Sequence, residues 1–488
     1  MIEDKILFRR NFMELQEKHI VENDLVQKDF GYEKELKGSM NVVQLTAFGL
    51  NYMLPLAPAV IFGVLLSTSG GTVALPFLFA GIAMLLTGFS YATMVRNFPL
   101  AGSVYSYVGR GWNPHFGFLA GWVVTLDYVL IPTITSVSAA YLVQEYFPNV
   151  PFWILLGIFS VGIGLLNLFG IELMSKMGLW FLILGEFVVW SCILVWGKAV
   201  YSDGVGVGAL LSTQPFQFDS MSGLLGATSL AVLSFLGFDA ITTLAEETRN
   251  PKRDIPKAIF MCIGIGLVTM VVCSYVAMLV IPDWRNHIAD ENWMNTVLYQ
   301  VSVITGGEGF ALFYTAGFLS SLAIFNLVAT AAGARLLYGM GRDGLLPKGI
   351  FAAINKRFKT PHFNIIIIVA IEFILGNTVD LGTISNLVNY GAFFGFAALN
   401  LSVIWLYYVK KKGEAPLSLN YEKNWKPAGW RHFRYLALPL LGFIVIAYVW
   451  SGMDRLAIIL GTVWLIMGIA FLAARTSGFK KLPPQLEH

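Results

Sequence analysis

Five carboxylic acids lie within or at the ends of long apolar runs of the sequence. They are Asp127, Glu186, Asp239, Glu246 and Glu372. No histidine, lysine or arginine is found in the middle of such a run. An ionisable side chain inside a membrane is costly, so each of these acids is a candidate for function. Negative charge in an interior cavity suits a cationic substrate, a proton, or both.

The segment SFLGFDAITT (234–243) places Gly237 and Asp239 where a plain membrane anchor would be apolar. A desolvated carboxyl group there would be returned to its charged form by a bound cation. We predict that Asp239 binds the substrate or a proton, and the alternative is a structural hydrogen bond. Phe235 and Phe238 flank the same point. They are predicted to form an outer gate above bound substrate or, alternatively, to pack in the core.

Four further residues are candidates for the same chemistry. Asp127 and Tyr128 lie midway along one apolar run, and a phenol can offer an ammonium group both a hydrogen bond and a ring face. The alternative is that Tyr128 packs in the bundle and Asp127 pairs with a neighbouring helix. Glu186 is a candidate proton carrier or a member of a buried polar network. Glu246, about 10 Å along a helix from Asp239, is a candidate for proton coupling and is predicted to be a second station for a cation or a partner of basic loop residues.

The composition indicates what kind of protein must position these residues. Of 488 residues, 56% are hydrophobic and only 13% are charged, against roughly 25% charged residues in soluble domains. This balance predicts a polytopic membrane protein and argues against soluble enzymes and disordered scaffolds. A net charge of +3 does not indicate a nucleic-acid partner. Cys192, Cys262 and Cys273 lie in apolar runs, so neither a disulfide framework nor a metal site is expected.

Membrane-spanning helices need about 20 apolar residues each. Twelve runs are predicted to span: 42–66, 74–96, 116–143, 152–170, 173–197, 221–247, 257–281, 308–338, 363–379, 382–409, 434–451 and 454–475. With the N-terminus inside, the cytoplasmic loops and tails hold 30 of the 33 lysines and arginines, and the outer loops hold three. Because basic residues mark cytoplasmic loops, both termini are predicted to lie in the cytoplasm and the protein in the plasma membrane.

The chain is predicted to have five parts. Residues 1–39 form a cytoplasmic tail, 40–409 a ten-helix transport core, and 410–433 a polar cytoplasmic linker. Two appended transmembrane helices follow at 434–475. The last part, 476–488, is a C-terminal tail whose final Leu-Glu-His is typical of an expression-tag remnant.

Two of the predicted spans contain helix breakers at mid-membrane. The first, GLNYMLPLAPAVIFG (49–63), contains Pro55 and Pro58, and the sixth contains Gly237. Proline removes a hydrogen-bond donor, and freed backbone groups are tolerated in a membrane only around a protein-lined cavity. The first and sixth spans are equivalent members of two five-helix halves. Paired breaks at such positions predict an inverted-repeat transporter with its substrate site at the midplane.

Several motifs together carry a resemblance to a known family. They are NFPLAGSVYSYVGRGWNPHFGFLAGW (97–122), SFLGFDAITTLAEETRNPKRDIPKAI (234–259), ARLLYGMGRDGLLPKGI (334–350) and TP (360–361). In these motifs the chain resembles the amino acid–polyamine–organocation (APC) superfamily of secondary transporters. LDYVLIP (126–132) and LVNYGAFFGFAALNLSV (387–403) make it similar to the bacterial putrescine importers of that superfamily. The resemblance implies an all-α leucine-transporter fold with two five-helix inverted repeats and broken helices 1 and 6.

The resemblance also implies roles for individual residues. Asp239 stands where permeases for basic substrates hold the acid that meets the substrate amine. Tyr128 follows the importer pattern in which a tyrosine contributes to substrate recognition. Pro55 and Pro58 replace the glycine-rich break that holds a substrate carboxylate in the amino-acid branch. This departure favours an amine without a carboxylate.

One departure from the importer pattern concerns Val60, which stands where an importer of this type can carry an acid. A diamine needs an anionic or aromatic partner at each end. Asp127, Glu246 or Tyr52 is expected to serve instead.

We therefore predict a secondary transporter that imports putrescine or a related small amine, coupled to protons and needing no cofactor. The expected partners are the small cationic amine or an amino acid, a proton and the lipid bilayer, with no nucleic acid and no metal. The alternative is an amino-acid permease or an amine/amino-acid exchanger of the same superfamily. The sequence contains no HExxH or GxSxG motif to support a membrane enzyme. Only the 39-residue tail hints at a sensor.

Overall fold

The structure is a computed structural model that describes residues 40–53, 57–99, 103–169, 174–245, 247–342, 346–355, 357–358, 360–410 and 429–483. Across these residues the regular structure is helical, and one isolated parallel β-bridge joins Met40 to Thr248. The predicted tail 1–39 and residues 411–428 of the predicted linker lie outside the described residues.

Seventeen α-helices are labelled here in chain order within the described ranges. They are α1 Val42–Met53, α2 Ala57–Ser69, α3 Ala74–Asn97, α4 Ser103–Gly111, α5 Pro114–Gln144, α6 Phe152–Phe169, α7 Met174–Ser202, α8 Met221–Ala231, α9 Pro251–Val280, α10 Glu291–Asn295, α11 Val297–Arg342, α12 Lys348–Phe351, α13 His362–Thr378, α14 Leu381–Ile404, α15 Trp430–His432, α16 Leu438–Ser451 and α17 Arg455–Arg475. Short 3-10 helices cover Gln214–Phe216, Val232–Phe235, Asp239–Leu244 and Trp284–His287, and π-helical turns cover Trp405–Val409 and Phe433–Ala437.

The described helices fit a membrane protein. Nine described segments are long and apolar enough to cross a membrane, or ten if α1 and α2 form one bent span. Two shorter apolar helices, Phe152–Leu168 and His362–Thr378, fall on the fourth and ninth predicted spans. The prediction of an all-helical membrane protein is confirmed. The count of twelve spans stays a prediction, as does the break in the first span, because residues 54–56 lie outside the described residues.

The eighth predicted span begins at a kink inside α11. It was expected at 308, whereas α11 begins at Val297. Gly307 has φ 68° and ψ −175°, so the backbone leaves the helical conformation there and two helical segments meet. Glycine adopts positive φ without steric cost. The predicted beginning at 308 therefore agrees with the second of the two segments, and the first segment, which begins at Val297, precedes the predicted span.

The sixth predicted span contains a described departure from helical geometry. After the 3-10 helix Val232–Phe235, Leu236 is extended with ψ 135°. Gly237 follows with φ 118°, a conformation that favours glycine. A Cβ atom at this position would lie 2.6 Å from Cδ1 of Tyr52. Gly237 is therefore needed both for the turn and for the close approach of α1.

Helix α5 lies at the centre of the bundle, in contact with α4, α6, α11, α13, α14 and α17. Pro132 lies inside this helix and has no N–H group. The carbonyl of Tyr128, four residues earlier, therefore lacks its usual helical donor. A Cβ atom on Gly333 would lie 2.7 Å from that carbonyl oxygen. The absence of a side chain at Gly333 allows α11 to pack directly against α5 at Tyr128.

Helix α17 is fixed to α5 by a reciprocal pair of indoles. The rings of Trp122 and Trp464 stack with their centroids 4.9 Å apart. Nε1 of Trp122 donates to the carbonyl of Trp464 at 3.0 Å, and Nε1 of Trp464 donates to the carbonyl of Trp122 at 3.1 Å. Both indole N–H donors are thus satisfied, and the last helix is held against the helix that carries Asp127 and Tyr128.

Candidate substrate site

A small cavity lies beside the turn at Gly237. Its wall is formed by Tyr52, Met53, Ala57, Val60, Ile131, Ile134, Thr135, Leu233, Ser234, Leu236 and Phe325. Three of these side chains carry a hydroxyl group and the others are apolar. The space of about 40 Å³ is enough for a few water molecules and too small for a diamine or an amino acid. The wall must therefore move apart before a substrate of either class fits.

Asp239 binds the backbone of the turn. Its Oδ1 accepts a hydrogen bond from the N–H of Gly237 at 3.2 Å, and Oδ2 lies 3.5 Å from Oγ of Ser103. The structural hydrogen bond that was the alternative for Asp239 is thus present. The backbone N–H groups of Asp239 and Ala240 are also directed at this carboxyl group. All of these donors are uncharged, so they do not neutralise a carboxylate as a cation would.

Asp127 and Tyr128 lie on α5. The side chain of Asp127 is 9% exposed, and its Oδ1 is buried with no hydrogen-bond partner among the described residues. Tyr128 is half-buried. The carboxyl group of Asp127 is within electrostatic range of Asp239, and the phenol of Tyr128 is within range of both acids. The structure therefore brings together three of the residues predicted from the sequence.

Tyr52 connects these residues to the cavity. Its ring lies in the cavity wall, with its centroid 5.8 Å from that of Phe325 in an edge-on arrangement. Its hydroxyl group is in electrostatic range of Asp127, Tyr128 and Asp239. We call Tyr52, Asp127, Tyr128 and Asp239 the acid–tyrosine cluster. Of these four residues Tyr52 lies in the cavity wall, and the other three lie within electrostatic range of its hydroxyl group. Two carboxyl groups and two phenols thus surround the point where Tyr52 meets the apolar cavity, an arrangement that can bind a cation with an aliphatic body.

The structure places Phe235 and Phe238, the residues predicted to form an outer gate, in the packed core, and the gate itself stays a prediction. Both rings are fully buried, and the cavity wall is formed instead by Leu233, Ser234 and Leu236. The Phe238 ring lies 5.5 Å from that of Tyr91 and 5.7 Å from that of Phe396, between centroids. Packing in the core, the alternative given for both residues, agrees with these contacts, because turning from the wall buries the rings against α3 and α14.

The described hydrogen bond of Glu186 is made within its own helix and not with the acid–tyrosine cluster. It is half-buried on α7 and accepts a hydrogen bond from Nε1 of Trp190, one turn further along the same helix, at 3.1 Å. Phe187 and Trp190 beside it are 60% and 41% exposed, which is typical of a lipid-facing surface. Its role as a proton carrier stays a prediction. Two other candidates, Pro55 and Glu246, lie outside the described residues.

The sequence interpretation missed part of the cavity wall. Ile131 and Thr135 lie three and seven residues after Tyr128, so helical periodicity could have placed them on the same face of α5. Phe325 of α11 had no comparable signal, because nothing in its sequence neighbourhood distinguishes the cavity face from the packed face.

Comparison with known proteins decides the family. The model of the amino acid permease family matches residues 46–475, which is most of the chain. The chain belongs to the amino acid permease family. The membership in the APC superfamily predicted from the motifs is thereby confirmed, and the family implies the leucine-transporter fold. Members of this family are membrane transporters, in agreement with the apolar helices of this permease.

Three relatives bear on the substrate of this permease. It is 32% identical over 458 residues to the low-affinity putrescine importer PlaP of Escherichia coli (strain K12), covering 93% of this chain and 97% of the relative. It is 26% identical over 478 residues to the branched-chain amino acid permease BcaP of Bacillus subtilis (strain 168), covering 93% and 96%. It is 28% identical over 459 residues to BcaP of Lactococcus lactis, covering 86% and 93%.

Proposed function

We propose that this permease is a secondary active transporter that imports putrescine or a related small amine across the plasma membrane in symport with protons. The observation that carries the proposal is the acid–tyrosine cluster, whose Tyr52 lies in the wall of the apolar cavity beside the turn of Gly237. The similarity to a putrescine importer over nearly the whole chain supports the same substrate class. The concentration of lysine and arginine in alternate loops supports cytoplasmic termini.

An ammonium group would bind between the carboxyl groups of Asp127 and Asp239. It would donate to Oδ1 of Asp127, which has no other donor in the described part of the chain. The rings of Tyr52 and Tyr128 would offer their π-faces to the same charge. The methylene chain of the amine would lie along the apolar wall of the cavity. This arrangement uses the charge of the cluster and the hydrophobic surface of the cavity together.

A substrate carboxylate would find little support at the turn. The N–H group of Gly237 is a donor that a helix break can offer to an anion, but it is already bound to Oδ1 of Asp239. The carboxyl groups of Asp127 and Asp239 would also repel a second anion when ionised. These contacts favour an amine without a carboxylate over an α-amino acid.

A branched-chain amino acid is the second candidate substrate. The cavity wall is mostly aliphatic, with Val60, Ile131 and Ile134 among its residues, and it would hold an aliphatic side chain. The similarity to two branched-chain amino acid permeases favours the same class. An amino acid would require the carboxyl groups of the acid–tyrosine cluster to be at least partly protonated.

We expect labelled putrescine to accumulate in proteoliposomes when an inward proton gradient is imposed in sodium-free buffer. Interior carboxyl groups can bind and release protons as the cavity opens to either side. An uncoupler should abolish the accumulation, and empty liposomes serve as the control. Accumulation that depends on a sodium gradient and does not respond to a pH step would contradict proton coupling. Binding without any uptake would contradict the transporter itself.

A further inference from the structure

A buried polar network joins three helices behind the cavity. Its centre is Glu372 of α13, whose side chain is 0% exposed. Oε1 of Glu372 accepts hydrogen bonds from Oγ of Ser136 on α5 and from Nδ2 of Asn326 on α11, the latter at 2.8 Å. Oγ1 of Thr330 donates to Oδ1 of Asn326 at 2.9 Å. Oε2 of Glu372 is buried and has no hydrogen-bond partner among the described residues.

No cation compensates the carboxyl group of Glu372 in the described part of the chain. The carboxyl group is removed from water by burial, and the two side chains that donate hydrogen bonds to it, Ser136 and Asn326, are both neutral. A buried carboxylate ion without a cationic partner is strongly disfavoured, whereas a neutral carboxylic acid is tolerated. With Oε1 occupied by two donors, the proton of the neutral acid belongs on Oε2.

The titratable groups on the neighbouring helices lie further away. Helix α6 carries none within Phe152–Phe169. On α5, Tyr128 lies eight residues before Ser136, about 12 Å along the axis, and Tyr141 is bound to Glu291. On α11, Arg335 is exposed and lies nine residues beyond Asn326, about 13 Å along the axis. The other titratable residues on the elements packed against α13 are His115, Asp127, Tyr299, Glu308, Tyr314, Tyr338, Arg342 and Lys348.

The network is one residue removed from the cavity wall. Thr135 and Phe325 line the cavity, and the residues that follow them in sequence, Ser136 and Asn326, bind Glu372. The carbonyl of Pro132 accepts from Oγ1 of Thr135 at 2.8 Å and from Nδ2 of Asn326 at 3.2 Å. Because the cavity must widen to admit substrate, movement of α5 against α11 would change the hydrogen bonds that Glu372 receives.

We propose that Glu372 is a proton-binding site of the transport cycle. The carboxyl group takes up a proton on Oε2 from water that reaches it when the network is open, and it holds the proton as a neutral acid while α5, α11 and α13 enclose it. It returns the proton to water when the movement of α5 and α11 opens the network. This inference rests on the proposed function, since a proton site of this kind drives transport only in a proton-coupled carrier.

The variant Glu372→Gln tests the proposal. Glutamine resembles the neutral acid in shape and keeps an oxygen for Ser136 and Asn326, but it binds no proton. We expect exchange of labelled putrescine between equal internal and external pools to stay within about twofold of wild type. Accumulation driven by a pH gradient should fall at least tenfold. Glu308→Gln, which makes the same change at an exposed position of α11, is the control and should change neither quantity.

Two results would overturn the proposal. One is accumulation by Glu372→Gln at the wild-type level, and the other is loss of exchange and accumulation together in a folded variant. If Glu372→Gln does not fold, Ser136→Ala takes its place. Removing one donor to the carboxylate favours the protonated form, so the midpoint of the pH profile of uptake should move to higher pH. An unchanged profile would overturn the proposal.

A failure of the proposed function gives a different pattern. A wild-type protein that accumulates no putrescine under a pH gradient contradicts proton-driven amine import, whatever Glu372 does. Infrared difference spectra still test the proton site in that case. A carboxylic acid C=O band that loses intensity with rising pH in the wild type and is missing from Glu372→Gln supports it. A band that keeps its intensity over the whole pH range in which the protein is folded overturns it.

Discussion

Replacing Asp239 by asparagine is expected to lower the affinity for putrescine by about a hundredfold and to leave the fold intact. Removing one partner of a desolvated charge pair costs about 3–5 kcal/mol. Asp239 is only partly buried, so we expect the lower end, about 3 kcal/mol, which corresponds to about two factors of ten. The asparagine retains an oxygen that can accept the N–H of Gly237, as Oδ1 of Asp239 does at 3.2 Å.

Calorimetric titration of the purified protein with putrescine, at matched pH, measures this effect. Asp203→Asn makes the same change at an exposed position outside the cavity and should bind like wild type. Size-exclusion profiles and thermal melts report folding. If Asp239→Asn binds putrescine tightly, the ammonium group binds elsewhere and Asp127 is the next candidate. If the variant does not fold, Asp239 has a structural role.

The second large effect is expected at Gly237, where even alanine should abolish uptake. A residue with a side chain is strained at φ 118°, at a cost of about 1–3 kcal/mol. The new Cβ atom would also lie 2.6 Å from Cδ1 of Tyr52 and 2.8 Å from its backbone carbonyl carbon, and overpacking of this kind costs about 1–3 kcal/mol more. The turn and α1 would have to separate, which would displace Tyr52 from the acid–tyrosine cluster.

Initial uptake rates and thermal melts of Gly237→Ala measure this prediction. Gly264→Ala on α9 is the matched control, because a Cβ atom there would have no heavy atom within 4 Å. We expect the control to transport like wild type. Wild-type uptake by Gly237→Ala would mean that the close approach of Tyr52 to the turn is not needed for transport.

Much of the architecture could be predicted because the membrane imposes strong rules. Long apolar runs identified most of the spanning helices, and the glycine and acid at 237 and 239 marked an irregular segment. The predicted beginning of the eighth span, at 308, directly follows Gly307, where the backbone leaves the helical conformation and two segments meet.

The candidate site was predictable only in part. The residue types of Asp127, Tyr128 and Asp239 indicated function. The electrostatic proximity of Asp127 and Tyr128 to Asp239, however, depends on how α5 packs against the turn. Phe235 and Phe238 show the limit most clearly. Helical periodicity fails at an irregular segment, so the sequence does not specify which side chains face the cavity.

Glu186 and Glu372 show the same limit for isolated acids. Both lie in apolar runs and look equivalent in the sequence. Glu186 is bonded within its own helix by Trp190, whereas Glu372 is bonded across helices by Ser136 and Asn326. Only the packing of three distant segments distinguishes a lipid-side acid from the centre of a buried network.

The central claim is that an amine without a carboxylate binds at the acid–tyrosine cluster. Displacement of labelled putrescine from the purified wild-type permease tests it most directly. Unlabelled putrescine and diamines of similar length should displace the label, whereas leucine, isoleucine and valine at the same concentrations should leave it bound. Displacement by leucine at lower concentrations than by putrescine itself would contradict the claim and identify the protein as a branched-chain amino acid carrier.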